Sequence, residues 1–228
     1  MDDRIPYIHS FPRSGAHLLA ATLKRNFYTD VNLATRRGRT GHWSVRERWA
    51  GAPYGMLLRP KSPHALDVKL ESDRIHFYIY RDGRDVAVSL WNAKIMLNPE
   101  WRDWSFSKFL RTKLDWVWSP GKRVNCPRWT VAEQWMKHLL FWRPPSKLVH
   151  NVQYEWLVTK PLLALADIAA HLGWEGNGLQ PVYDKVGVSP GVGKVGTWKS
   201  VFSVEDLAYF HSIVPSDHWG LWRDDVYS

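Results

Sequence analysis

Two arginines stand out as anion-binding groups, Arg13 followed by Ser14 and Gly15, and Arg81 followed eight residues later by Ser89. A guanidinium presents five donors in a planar fork and does not lose its charge, so it suits phosphate and sulfate oxygens. Each arginine closes an apolar, β-prone run, IPYIHSF at 5–11 and IHFYIY at 75–80. Each also precedes a helical pattern. After the Pro12-Arg13-Ser14-Gly15 turn, Ala16, Leu19, Ala20, Leu23 and Phe27 fall on one apolar stripe. After Arg81, Asp82 is placed to cap a helix running through Trp91 and Ala93, with Asp85 three residues on in the manner of a capping box. The first amides of a helix lack intrahelical partners, and the helix dipole adds partial positive charge there. A strand, a cationic turn and a helix start therefore make a site for a phosphate or sulfate. The same pattern also fits a surface arginine in an ordinary turn, or a capped surface helix with Arg84 and Asp85 in solvent. No Walker A loop is present, since no Gly-x-x-x-x-Gly-Lys-Ser/Thr run occurs.

Four ordered segments carry a family resemblance: SFPRSGAHLL at 10–19, YRDGRDVAVSLWN at 80–92, VHNVQYEWL at 149–157 with Pro161 after it, and GKVGTWK at 193–199. Together they resemble the sulfotransferases that use 3′-phosphoadenosine 5′-phosphosulfate (PAPS). The resemblance implies an α/β fold, with a central parallel sheet flanked by helices in the manner of P-loop nucleotide-binding proteins. It implies that Arg13, Ser14, Gly15, Ala16, His17 and Leu18 form the loop for the 5′-phosphosulfate. Arg81 and Ser89 would hold the 3′-phosphate, Tyr154 would approach the adenine, and Gly193 and Lys194 would belong to the C-terminal contact. PAPS would be the donor and 3′-phosphoadenosine 5′-phosphate (PAP) the product, with no metal required.

The chain departs from the family pattern in places. Arg13 stands where Lys is usual, and Ala16 and His17 replace residues that often carry hydroxyls. Gly191 and Val192 stand where an Arg-Lys pair is common, leaving Lys194 and Lys185 as nearby cations. The segment Lys61-Ser62-Pro63-His64 resembles the family's Lys-Thr-His, offset by one residue at Pro63. It makes His64 the first choice for the base that takes the acceptor proton, and Lys61 a contact to the sulfuryl oxygens. His17, in the donor loop, is the alternative base. Histidine suits the task near neutral pH. His9 reads as a structural residue of its strand, and His138 as a core or surface residue of its helix.

Positioning these groups requires alternating strands and helices. Strands are expected at 5–11, 75–80 and 147–152, with weaker candidates at 54–58 and 66–70. Helices are expected at 14–27, 84–94, 106–117, 131–141, 161–172 and 204–213. Such alternation implies a parallel sheet covered on both faces, with ligands beyond the carboxyl ends of the strands, where Arg13 and Arg81 fall. Residues 29–53, 98–103 and 119–129 read as excursions, and 187–196, with four glycines, as a flap over the donor. Of the 15 tryptophans, Trp135, Trp142 and Trp156 are expected in the core, and others in the excursions are expected to wall an acceptor pocket.

The length of 228 residues and 45% hydrophobic content fit one domain over 1–228. The single cysteine, Cys126, excludes an internal disulfide framework and reads as an incidental thiol. No apolar run approaches the ~18 residues of a membrane span, and no secretory pattern opens the chain, so a cytoplasmic protein is expected. The formal net charge of +9 suits an anionic donor, and it equally suits polyanions. The acceptor class stays open among small alcohols, phenols, amines, glycans and lipids, as does the oligomeric state. Two other readings remain, a nucleotide-dependent kinase with an atypical phosphate loop and a non-catalytic polyanion-binding protein. No nucleic-acid partner is expected on the leading reading.

Overall fold

Among the described residues three short strands form the sheet: β1 (Tyr7–Ser10), β2 (His76–Tyr80) and β3 (Val149–Gln153). The computed structural model describes residues 7–11, 13–28, 75–93, 99–114, 129–142, 149–183 and 194–215. All pairings are parallel in the order β1-β2-β3, with His76 opposite Tyr7 on one side and Val149 on the other. A central parallel strand is covered on both faces, and β2 is buried from His76 through Ile79. Its alternate side chains feed two cores. Phe77 and Ile79 pack with α1 (Ala16–Asn26), α5 (Tyr154–Thr159) and α6 (Pro161–His171). Tyr78 points the other way, into a core with α2 (Gly83–Asn92), α3 (Phe106–Arg111), α4 (Val131–Trp142) and α7 (Val204–Ile213). The chain is thus α/β, a parallel sheet between two helical layers, as expected.

The buried histidines serve this framework. His9 Nε2 lies 2.9 Å from His76 Nδ1, and the His9 ring stacks 4.0 Å from that of Trp142. His138 is buried on α4 and pairs through Nδ1 with the Tyr78 hydroxyl at 3.0 Å.

Three expectations need correction. The helix expected over 106–117 ends at Arg111, because Thr112 turns extended and Leu114 pairs antiparallel with Trp129. Trp156 is not in the core but 41% exposed, whereas Trp135 and Trp142 are buried as expected. The backbone turns helical at Tyr154, and α5 turns Tyr154, Glu155 and Leu157 inward instead. The 98–103 excursion contributes Trp101 to the core, stacked on Trp104 at 5.5 Å. The strand candidates at 54–58 and 66–70, most of the 187–196 flap, and Cys126 lie outside the described residues. Among the described residues no helix is long and apolar enough to cross a membrane.

Candidate functional site

β1 and β2 lie side by side, so the turns that follow them emerge together at the carboxyl edge of the sheet. Arg13 takes a left-handed conformation (φ 68°), and Gly15 takes another (φ 99°) as the N-cap of α1. A non-glycine residue at positive φ costs about 1–2 kcal/mol. The Ser14 amide donates to Phe11 O at 3.2 Å, closing the turn. The tight reversal aims the first amides of α1 outward just past the strand, the geometry of an anion cradle. No side chain caps this helix end.

The two arginines share this edge. Arg13 Nε donates to Ser89 Oγ at 3.0 Å, joining the first loop to α2. Arg81 Nη1 donates to the Arg13 carbonyl at 3.3 Å, and Nη2 to the Lys194 carbonyl at 2.9 Å. The Arg81 guanidinium also lies over the Tyr154 ring, 4.5 Å from its centre. That ring packs against Gly15, where a Cβ would sit 2.3 Å from Tyr154 Cδ2. Arg13, Ser14, Gly15, Arg81, Ser89, Tyr154 and the Lys194 backbone are therefore one cluster. Ala16 and Leu18 are buried in the first turn of α1 beside a half-buried His17, and the Lys194 residue itself is exposed. Lys61, His64, Lys185 and Gly193 lie outside the described residues.

Beneath the arginines is a supporting layer that local sequence patterns do not reveal. The Arg81 carbonyl accepts from Trp135 Nε1 at 3.1 Å, and the next amide, that of Asp82, donates to Glu155 Oε1 at 2.9 Å. Arg81 is thus fixed on both sides of its peptide plane. Burial holds the Glu155 carboxyl up at about 7, a rise partly offset by the Asp82 amide. Asp82 caps α2 through the Arg84 amide at 2.8 Å and also grips the Arg84 guanidinium. Asp85 does not complete the expected capping box. It is fully buried and accepts from Gly196 N, Thr197 Oγ1 and Trp198 N at 2.7–3.0 Å, with Arg81 Nη2 at 3.6 Å. Arg84 is not in solvent either, since its guanidinium stacks 3.8 Å over Trp198. The one available signal was the match of GKVGTWK and the arginine segment to a single family, which hints that the two meet.

The site fits an anion. Arg81 Nε and Ser14 Oγ are buried with no hydrogen-bond partner in the protein, and buried donors are rarely left so. Both belong to the segments read as phosphate loops. Among the described residues no cluster of three or more His, Cys, Asp or Glu side chains is arranged to hold a metal.

Comparison with known proteins bears on family and fold. A family model described as "Sulfotransferase domain" matches residues 59–185, more than half of the chain. Among solved structures, mouse sulfotransferase SULT7A1 complexed with PAP superposes with a TM-score of 0.60 at 18% identity, covering 96% of this chain and 85% of that one. At that identity the likeness is one of fold. A search of curated proteins found no match.

Proposed function

Given that the chain belongs to the sulfotransferase domain family, we propose that it moves a sulfuryl group from PAPS to a hydroxyl or amine of an acceptor and releases PAP. The observation that carries this reading is the convergence of Arg13 and Arg81 at one sheet edge, linked through the Arg13 carbonyl and through Ser89. The reading takes residues 1–228 as one cytoplasmic domain with a small-molecule, glycan or lipid acceptor.

In this scheme the sulfur–oxygen bond to the donor phosphate breaks as the acceptor oxygen bonds to sulfur. Arg13 and the amides of Gly15 to His17 stabilise the negative charge that grows on the departing phosphate, the Ser14 amide being turned back to Phe11 O. Arginine does not donate a proton at these pH values, so its part is electrostatic. Arg81 and Ser89 bind the 3′-phosphate; Arg81 Nε is the buried donor with room in its hydrogen-bonding capacity for a phosphate oxygen. Tyr154 orients Arg81 from below and lies toward the adenine. Lys194, with Gly193, supplies the C-terminal cation in place of the Arg-Lys pair. His64 takes the acceptor proton and Lys61 contacts the sulfuryl oxygens, both by family resemblance, with His17 as the alternative base. Sulfuryl transfer shares with phosphoryl transfer its need for in-line positioning and charge stabilisation.

Calorimetry with PAP in the presence of EDTA, set against ATP with Mg²⁺, tests the donor. Metal-independent binding of PAP supports the proposal, and preference for Mg²⁺-ATP overturns it in favour of a kinase. Strongly salt-dependent DNA binding without preference for PAP would instead indicate a polyanion-binding protein. Turnover of sulfur-labelled PAPS against a panel of phenols, alcohols, amines, glycans and lipids then identifies the acceptor.

A further inference from the structure

Asp85 is a wholly buried carboxylate in the first turn of α2. A buried charge is unfavourable unless its lone pairs are met. Here they are met by one short segment. Gly196 N donates at 2.8 Å, Thr197 Oγ1 at 2.7 Å and Trp198 N at 3.0 Å. Two of these donors are backbone amides at the start of a single 3₁₀ turn, Thr197–Ser200, so a side chain stands where a sheet or helix partner would otherwise be. The same carboxylate flanks Arg81 Nη2 at 3.6 Å, and that nitrogen donates to the Lys194 carbonyl at 2.9 Å. The contacts close a ring: Arg81, Asp85, Gly196, and back through the chain to Lys194.

We propose that Asp85 is a positioning residue for the donor, holding the Arg81 fork and the 194–198 segment in one geometry so that both address the 3′-phosphate end of the nucleotide. This rests on the sulfotransferase reading. Asp85 itself touches no donor atom in this scheme; it acts through Arg81 and the segment.

Thr197 provides the test, because its hydroxyl donates to Asp85 Oδ1 at 2.7 Å. Thr197→Val removes one hydrogen bond to a charged group, and Thr197→Ser retains it. The measurements are PAP affinity by calorimetry, KM for PAPS against kcat, and amide exchange over 194–199. T197V is expected to raise both the PAP Kd and the donor KM about tenfold, as one such bond is worth. Its kcat should stay near wild type, amide exchange over 196–198 should quicken, and T197S should restore all three. Asp85→Asn, which turns an amide donor toward the segment's own donors, is expected to do more of the same. If D85N fails to fold, the T197V and T197S pair decides. Variants that lose thermal stability and active fraction but keep wild-type KM and PAP affinity overturn the assignment. Wild-type protein that binds no PAP overturns the sulfotransferase reading and this assignment with it.

Discussion

Arg13 and Arg81 cooperate through intermediaries rather than by contact of their charged heads. Arg13 leans on Ser89, and Arg81 on the Arg13 carbonyl with the Asp85 carboxylate beside it. Their roles should therefore separate on mutation. Arg13→Ala is expected to lower kcat by about 10²–10³-fold, the usual loss when one oxyanion-stabilising donor goes, with the melting temperature preserved. Arg81→Ala should chiefly weaken PAP binding, by about 1.5–3 kcal/mol for lost charge-assisted hydrogen bonds, as calorimetry would register. Gly15 admits no side chain. Its φ of 99° is left-handed and a Cβ would meet the Tyr154 ring at 2.3 Å. Gly15→Ala should cost about 1–3 kcal/mol of stability, read as a lower urea midpoint, and should loosen PAP binding as Tyr154 shifts under Arg81.

Each element carries its own pH signature. Burial between β1 and α4 pushes His9 well below 6.5, with His76 and His138 adding to the effect, and burial alone brings His138 down to about 3. The unfolded chain takes up these protons near pH 6.5 while the folded chain refuses them. Stability therefore falls as pH drops below about 6.5, by about 1.4 kcal/mol per unit for each histidine. His138→Gln retains a partner for the Tyr78 hydroxyl without titrating, and should flatten that decline in urea titrations between pH 6 and 4. Glu155, at the start of α5, works in reverse. Folded, it keeps its proton up to about 7, and unfolded it releases it near 4.5. Its contribution is intact below 4.5 and is lost as pH rises through 7. Glu155→Gln should thus raise stability at pH 7.5 relative to pH 4.5, by about 3 kcal/mol at most. The larger elements were legible because their periodicity is long: the α1 stripe, the β-prone run of β2 and the α6 pattern all stand in the sequence. Alpha-5 is not, because its six residues follow β3 with no turn between them, and Trp156 is misplaced with it. The end of α3 depends on a bridge from Leu114 to Trp129, and Asp85 finds its partners 111 to 113 residues onward. No local pattern encodes either. The two arginine turns and the helices that follow them are readable, whereas the layer that braces them is tertiary.

At the scale of the molecule, the parallel sheet, three-stranded among the described residues, separates two apolar cores, and the two arginine turns occupy the edge where both helical layers begin. The formal charge of +9 adds a long-range field to that edge. Raising the salt from 50 to 500 mM shrinks the screening length from over 10 Å to a few ångströms, so PAP association should slow several-fold by stopped-flow while dissociation changes little. One indole joins the two scales. Trp135 is in the centre of a core, abuts Gly83 closely enough to forbid a Cβ (2.6 Å), and donates to the Arg81 carbonyl. The support under Arg81 and the packing of the hydrophobic interior hence share one side chain. Engineering this protein for heat tolerance by refilling that interior would move the peptide that carries Arg81 at the same stroke, and on the sulfotransferase proposal laboratory evolution for either stability or donor affinity should keep returning to position 135.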